Sequence, residues 1–75
     1  MLRTFRAKKM IDRIERNPEL LGYLDSETRE FILSLDGKQG NDYNYMSFVR
    51  GEPLVWIELE GHTDGGVYVN EADCD

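Results

Sequence analysis

Leu54-Val55-Trp56-Ile57-Glu58-Leu59-Glu60 is the most apolar run of the chain and contains its one tryptophan. Its residues are β-branched or aromatic, and turn formers bound it: Gly51-Glu52-Pro53 before, Gly61 through Gly66 after. That pattern reads as the central strand of a small antiparallel sheet, spanning about 54–60.

The neighbours follow from turn chemistry. Residues 43–50 form a first strand, and Gly51-Glu52 is a two-residue hairpin loop. Glycine at its first central position suits a type II′ turn. The register then sets Arg50 opposite Pro53, Val49 opposite Leu54, Phe48 opposite Val55, Ser47 opposite Trp56, Met46 opposite Ile57 and Tyr45 opposite Glu58. A third strand, 67–70, returns after a glycine-rich loop, with Val67 opposite Leu59 and Val69 opposite Ile57. One face collects Met46, Phe48, Val55, Ile57, Leu59, Val67 and Val69, and a slip of one residue would scatter that set.

The N-terminal half reads as helical. Ala7, Met10, Ile11 and Ile14 share one face of a helix over 4–16, with Thr4 as N-cap. Phe5 points away from that face, so it belongs to an extended lead-in or covers a second patch. Asn17-Pro18 ends this helix and starts a short one, 18–24. Asp25 caps a third, 26–35, whose Thr28, Phe31, Ile32 and Leu35 form an apolar stripe that Asp36-Gly37 stops. Residues 37–42 read as a loop. The expected fold is α+β, one domain over 1–75. Two to three N-terminal helices pack on one face of a three-stranded antiparallel β-meander, since a lone sheet with a bare apolar side is unstable in water.

Charge is unevenly spread. Residues 1–16 carry six basic and two acidic groups, a net of +4; the rest carries three basic and thirteen acidic groups, a net of −10. An acidic body repels nucleic acid and anionic membrane, while the first helix is basic. No apolar run exceeds four residues, which excludes a helical membrane span. No apolar segment follows the N-terminal charges, so no signal peptide is expected. A single cysteine, Cys74, fits a reducing compartment, and the expected location is cytoplasmic.

Motifs for chemistry are sparse. His62, Asp64, Asp73 and Cys74 are potential metal ligands, but their spacing fits no zinc or calcium template. Residues 36–42 resemble a calcium loop loosely, with Lys38 and Gly40 at ligand positions and no closing glutamate. Cys74 stands between Asp73 and Asp75, which raise a thiol pKa and suppress its reactivity. The loop Gly61–Gly66 is glycine-rich but acidic and leads into a strand, so it offers no phosphate cradle. The expectation is no enzyme activity, no metal and no cofactor.

The remaining signal is the other sheet face. It gathers Tyr45, Val49, Leu54, Trp56 and Tyr68 around Glu58. A solvated face should be polar, and Trp and Tyr are the residues that anchor binding hot spots. The expected function is a non-catalytic protein-interaction or regulatory module using this face. Its partner is an unidentified protein or a second copy in a homodimer; an acidic domain of this kind could also mimic nucleic acid. Coverage of the face by a chain end is the competing explanation. The alternative function is a nucleic-acid-binding regulator, winged-helix-like or acting through Arg3, Arg6, Lys9 and Arg13 on the basic first helix. Against it, those cations serve equally well to pair with the acidic body. A small hydrolase built on His62 and Asp64 is the third possibility.

Overall fold

A computed structural model describes residues 2–42, 51, 53–59 and 65–75. The elements run β1 (Leu2–Thr4), α1 (Ala7–Glu15), α2 (Pro18–Leu21), α3 (Ser26–Ser34), β2 (Gln39–Asp42), β3 (Leu54–Glu58), β4 (Gly66–Asn70) and a 3₁₀ turn at Glu71–Asp73. The strands form one antiparallel sheet in the order β1-β2-β3-β4.

The α+β class and the run of helices ahead of the central strand match the sequence reading, although a strand, β1, precedes them; local capping explains the helix starts. The Thr28 N–H donates to Oδ1 of Asp25 at 2.7 Å. The Glu19 N–H donates to Oδ1 of Asn17 at 3.1 Å, with Pro18 in the first turn of α2. Gly37 takes a positive φ of 81° just past α3, the conformation that suits a helix stop.

The first helix departs from expectation at its start. Thr4 is not a cap; it belongs to β1, and the helix begins at Ala7. No local side chain caps it. The Ala7 N–H instead donates at 3.0 Å to Oδ1 of Asp36, beyond α3. A cap delivered through space leaves no local signature.

Residues 2–6 run extended because they are paired on both sides. Leu2, Arg3 and Thr4 lie opposite Asn41, Gly40 and Gln39. Further along, the Phe5 N–H donates to the Lys38 carbonyl and the Gly37 N–H donates to the Phe5 carbonyl, both at 2.8 Å. On the opposite edge Thr4 and Asp75 exchange backbone hydrogen bonds of 3.2 and 2.8 Å. The Arg6 N–H donates to the Asp73 carbonyl at 2.8 Å, and Phe5 bridges to Cys74. The C-terminal segment thus folds back from β4 to cover the edge of β1, where unpaired backbone groups would otherwise remain.

Among the described residues the sheet therefore has four strands, and one of them, Gln39–Asp42, was not expected. Gln39–Asp42, read as a loop, is a strand between β1 and β3. It sets Asn41 opposite Trp56 and Asp42 opposite Val55. Those positions were assigned to Ser47 and Phe48. The expected strand 43–50 lies outside the described residues. Gly51 does have the positive φ, 75°, that the expected turn asks for.

Between β3 and β4 the register is Leu54–Asn70, Val55–Val69, Trp56–Tyr68, Ile57–Val67 and Glu58–Gly66. The expected register is offset from this by two residues. An even offset keeps every side chain on its expected face. Val55, Ile57 and Val69 accordingly join the core, with Leu59 and Val67 packed against it.

Helices cover that face. Ala7, Ile11 and Ile14 of α1, Ile32 of α3 and the adjoining Leu35 share one buried cluster with Phe5, Val55, Ile57, Val69 and Cys74. Each fully buried large side chain contributes about 1.5–3 kcal/mol, a large share of the stability of a domain this small. Phe31, expected in the stripe of α3, is instead 48% exposed. It sits at the flank of the arc centred on Ile32 and Leu35, and α1 covers only the centre.

Candidate functional site

The register across all four strands builds one row on the outer face: Leu2, Asn41, Trp56 and Tyr68. Neighbouring strands lie about 4.8 Å apart, so these four side chains are successive neighbours across the sheet. Trp56 and Tyr68 pack together, ring centroids 4.7 Å apart and planes tilted by 53°, within the favourable range for aromatic pairs. Both are half-buried, and Leu2 at the end of the row is 59% exposed.

Gly66 shapes this platform. A Cβ there would stand 2.4 Å from Cζ2 of Trp56 and 2.6 Å from the Ile57 carbonyl oxygen. The indole lies directly over the glycine, which is why that position has no side chain. Gly40 lies on the core side of β2, where a Cβ would fall 2.1 Å from the Trp56 carbonyl oxygen and 2.9 Å from Cγ1 of Ile57, so it sets the close approach of β2 to β3.

The structure brings only part of the expected face together. Trp56 has Tyr68 as its neighbour, not Asn70, and Glu58 is exposed opposite Gly66 instead of between two tyrosines. Leu54 shares the face by register, but it is only 4% exposed and sits apart from the helix-covered cluster. Tyr45 and Val49 lie outside the described residues. Leu2 is not foreseen, because Leu2-Arg3-Thr4-Phe5 has no apolar/polar alternation and becomes a strand only through its pairing with Gln39–Asn41.

The basic residues of the alternative reading are brought together, against acids. Arg13 forms a two-pronged contact with Asp73, Nε to Oδ1 at 3.1 Å and Nη2 to Oδ2 at 2.7 Å. The Asp73 carboxylate is almost wholly buried. Asp75 receives Arg6 Nε at 2.6 Å and Lys9 Nζ at 2.7 Å. Its pKa is held below the ordinary value, first by the Lys9 hydrogen bond and then by that of Arg6. Arg3 joins Asp42 at 3.2 Å and also pairs with Glu71. The Asp42 hydrogen bond raises its pKa. A cleft of about 330 Å³ runs beside the Arg13–Asp73 pair, lined by Lys9, Asp12, Arg13, Arg16, Ala72 and Asp73.

The remaining candidates separate. Arg13 holds both Asp73 oxygens, and the Cys74 sulfur lies 3.8 Å from the Asn70 carbonyl oxygen. The Cys74 thiol pKa is pushed up to about 11, chiefly by burial and next by Asp73. The direction agrees with the sequence reading, but the main cause is burial. Asp36 and Asp42 of the loose calcium loop are engaged with Ala7 and Arg3. His62 and Asp64 lie outside the described residues. Among the described residues no helix is long and apolar enough to cross a membrane.

Compared with protein-family models, curated proteins and solved structures, the chain matches none of them. Any functional reading of this protein therefore rests on its own residues.

Proposed function

We propose that this protein is a non-catalytic protein-interaction or regulatory module that binds through the outer face of its sheet. The row Leu2–Asn41–Trp56–Tyr68 carries this reading. It presents an exposed leucine beside a rigid Trp–Tyr pair, flanked by the exposed carboxylate of Glu58. Large aromatic anchors with polar tips are the side chains that contribute most to protein interfaces, and the platform on Gly66 holds them in place before binding. The occupant is another protein or a second copy of this chain. Nucleic-acid binding through Arg3, Arg6, Lys9 and Arg13 has weaker support, since each is paired with a carboxylate of the chain itself.

Capture of binding proteins and sedimentation of the pure protein, each with Leu2→Ser and Trp56→Ala beside the wild type, tests the proposal. A partner or dimer that both variants lose supports it. Leu2 is exposed and has little part in folding, so Leu2→Ser reports binding even where Trp56→Ala loosens the sheet. Association unchanged in both variants, or none at all, overturns the reading.

A further inference from the structure

The ion pairs described above have a consequence for the rest of the surface. They neutralise the basic first helix within the molecule and leave the acidic surplus elsewhere. Residues 17–37 hold five carboxylates, Glu19, Asp25, Glu27, Glu30 and Asp36, against the single cation Arg29, a net of −4. The same segment carries Leu21, Tyr23, Phe31 and Leu33, exposed by 49%, 76%, 48% and 51%. Of the exposed large hydrophobic residues among those described, all but Leu2 lie here. Clustered apolar side chains of this kind mark interaction sites.

On α3 the two features interleave. At about 100° per residue, Leu33, Glu30, Glu27 and Phe31 follow one another around the exposed side of α3, Phe31 at the edge next to Leu35 and Leu33 at the far edge. The burial pattern agrees: Ile32 and Leu35 are buried, and the other four are exposed. Two carboxylates thus share one helical face with Phe31, and Leu33 stands at its far edge. Among the described residues, no ion pair or side-chain hydrogen bond involves Glu27 or Glu30 on this face.

We infer that the exposed face of α3, with Tyr23 and Leu21 beside it in sequence, docks a basic amphipathic helix of a partner protein. Leucines of that helix would rest on Phe31, and lysines or arginines one turn apart would meet Glu27 and Glu30. Charge selects the occupant. A second copy would bring one acidic face against another, and nucleic acid or an anionic membrane would be repelled. The surface is separate from the sheet's outer face, so it stands or falls independently of the reading above.

The test is fluorescence anisotropy with a labelled amphipathic helix made only of leucine and lysine, and with a matched peptide carrying glutamate for lysine. Saturable binding of the lysine peptide alone is expected, weakening as salt rises. Phe31→Ser, and separately Glu27→Gln with Glu30→Gln, should each weaken it about tenfold, which corresponds to about 1.4 kcal/mol. Glu15→Gln, an equivalent charge loss on the exposed side of α1, should leave it unchanged. Thermal melts of each variant confirm that the fold persists. The inference is overturned if the α3 variants bind like the wild type, if Glu15→Gln weakens binding as much, if the glutamate peptide binds equally, or if no saturable binding occurs.

Discussion

Replacing Arg13 by methionine keeps the length of the side chain and removes both hydrogen bonds to Asp73. The carboxylate left behind is almost fully buried. Removing one partner of a buried ion pair costs about 3–5 kcal/mol, because the other charge stays desolvated without compensation. Here the arginine head is 39% exposed and borders the cleft lined by Lys9, Asp12 and Arg16. Water and Lys9 can therefore reach the orphaned carboxylate in part, which places the cost at about 2–3 kcal/mol, below the fully buried case. Domains of this size are stable by about 4–11 kcal/mol in total. Each kcal/mol is worth about 4–8 °C in Tm, so calorimetry should show a fall of about 10–20 °C. Lys8→Ala is the internal control. It breaks only the exposed Lys8–Asp12 pair and should change stability by less than about 0.5 kcal/mol. Adding Asp73→Leu to Arg13→Met should recover most of the loss, since an apolar pair replaces an unmatched charge. A Tm for Arg13→Met within about 4 °C of the wild type, equivalent to about 1 kcal/mol or less, would refute the reasoning.

Two further outcomes follow from close packing and from burial. Gly40→Ala places a methyl group 2.1 Å from the Trp56 carbonyl oxygen and must push β2 away from β3; chemical denaturation should register a loss of about 2 kcal/mol or more, and an unchanged midpoint would contradict the β2–β3 approach. The Cys74 thiol, raised from 9.0 to about 11, should resist alkylation at pH 8 in the native protein and react readily once unfolded. Because its folded pKa lies above the unfolded one, its contribution to stability is complete below pH 9 and is lost as pH rises toward 11; a Cys74→Ala variant showing the same alkaline loss would assign that loss to another group.

Much of the architecture was legible locally. Asn17-Pro18 and Asp25 mark their helix starts because a capping side chain acts within three residues of itself. The apolar period of Ala7, Ile11 and Ile14 identifies the buried face of α1. The apolar, β-branched and aromatic run Leu54–Glu58, bounded by turn formers, identifies β3, and Trp56 and Tyr68 fall together on its outer side. Part of the candidate surface was legible for the same reason: side-chain direction along a strand has a period of two. A register offset by two residues therefore left the faces correct and only the neighbours wrong.

The rest depends on partners distant in the chain. Gln39-Gly40-Asn41-Asp42 has little intrinsic preference for a strand. It becomes one because β1 and β3 offer backbone groups on both of its edges. Leu2–Thr4 is drawn out of helix by the same ladder and by Asp75 on the opposite side. Composition alone reveals a basic beginning and an acidic remainder; only the folded chain shows which carboxylates meet which cations, and that among the described residues Glu27 and Glu30 of α3 meet none. Local propensity and periodicity determined the helices, the central strand and the sidedness of the sheet. Tertiary structure decided strand number, register, the cap of α1 and the pairing of charge, because hydrogen bonds and ion pairs between residues far apart in sequence exist only once the chain has closed on itself.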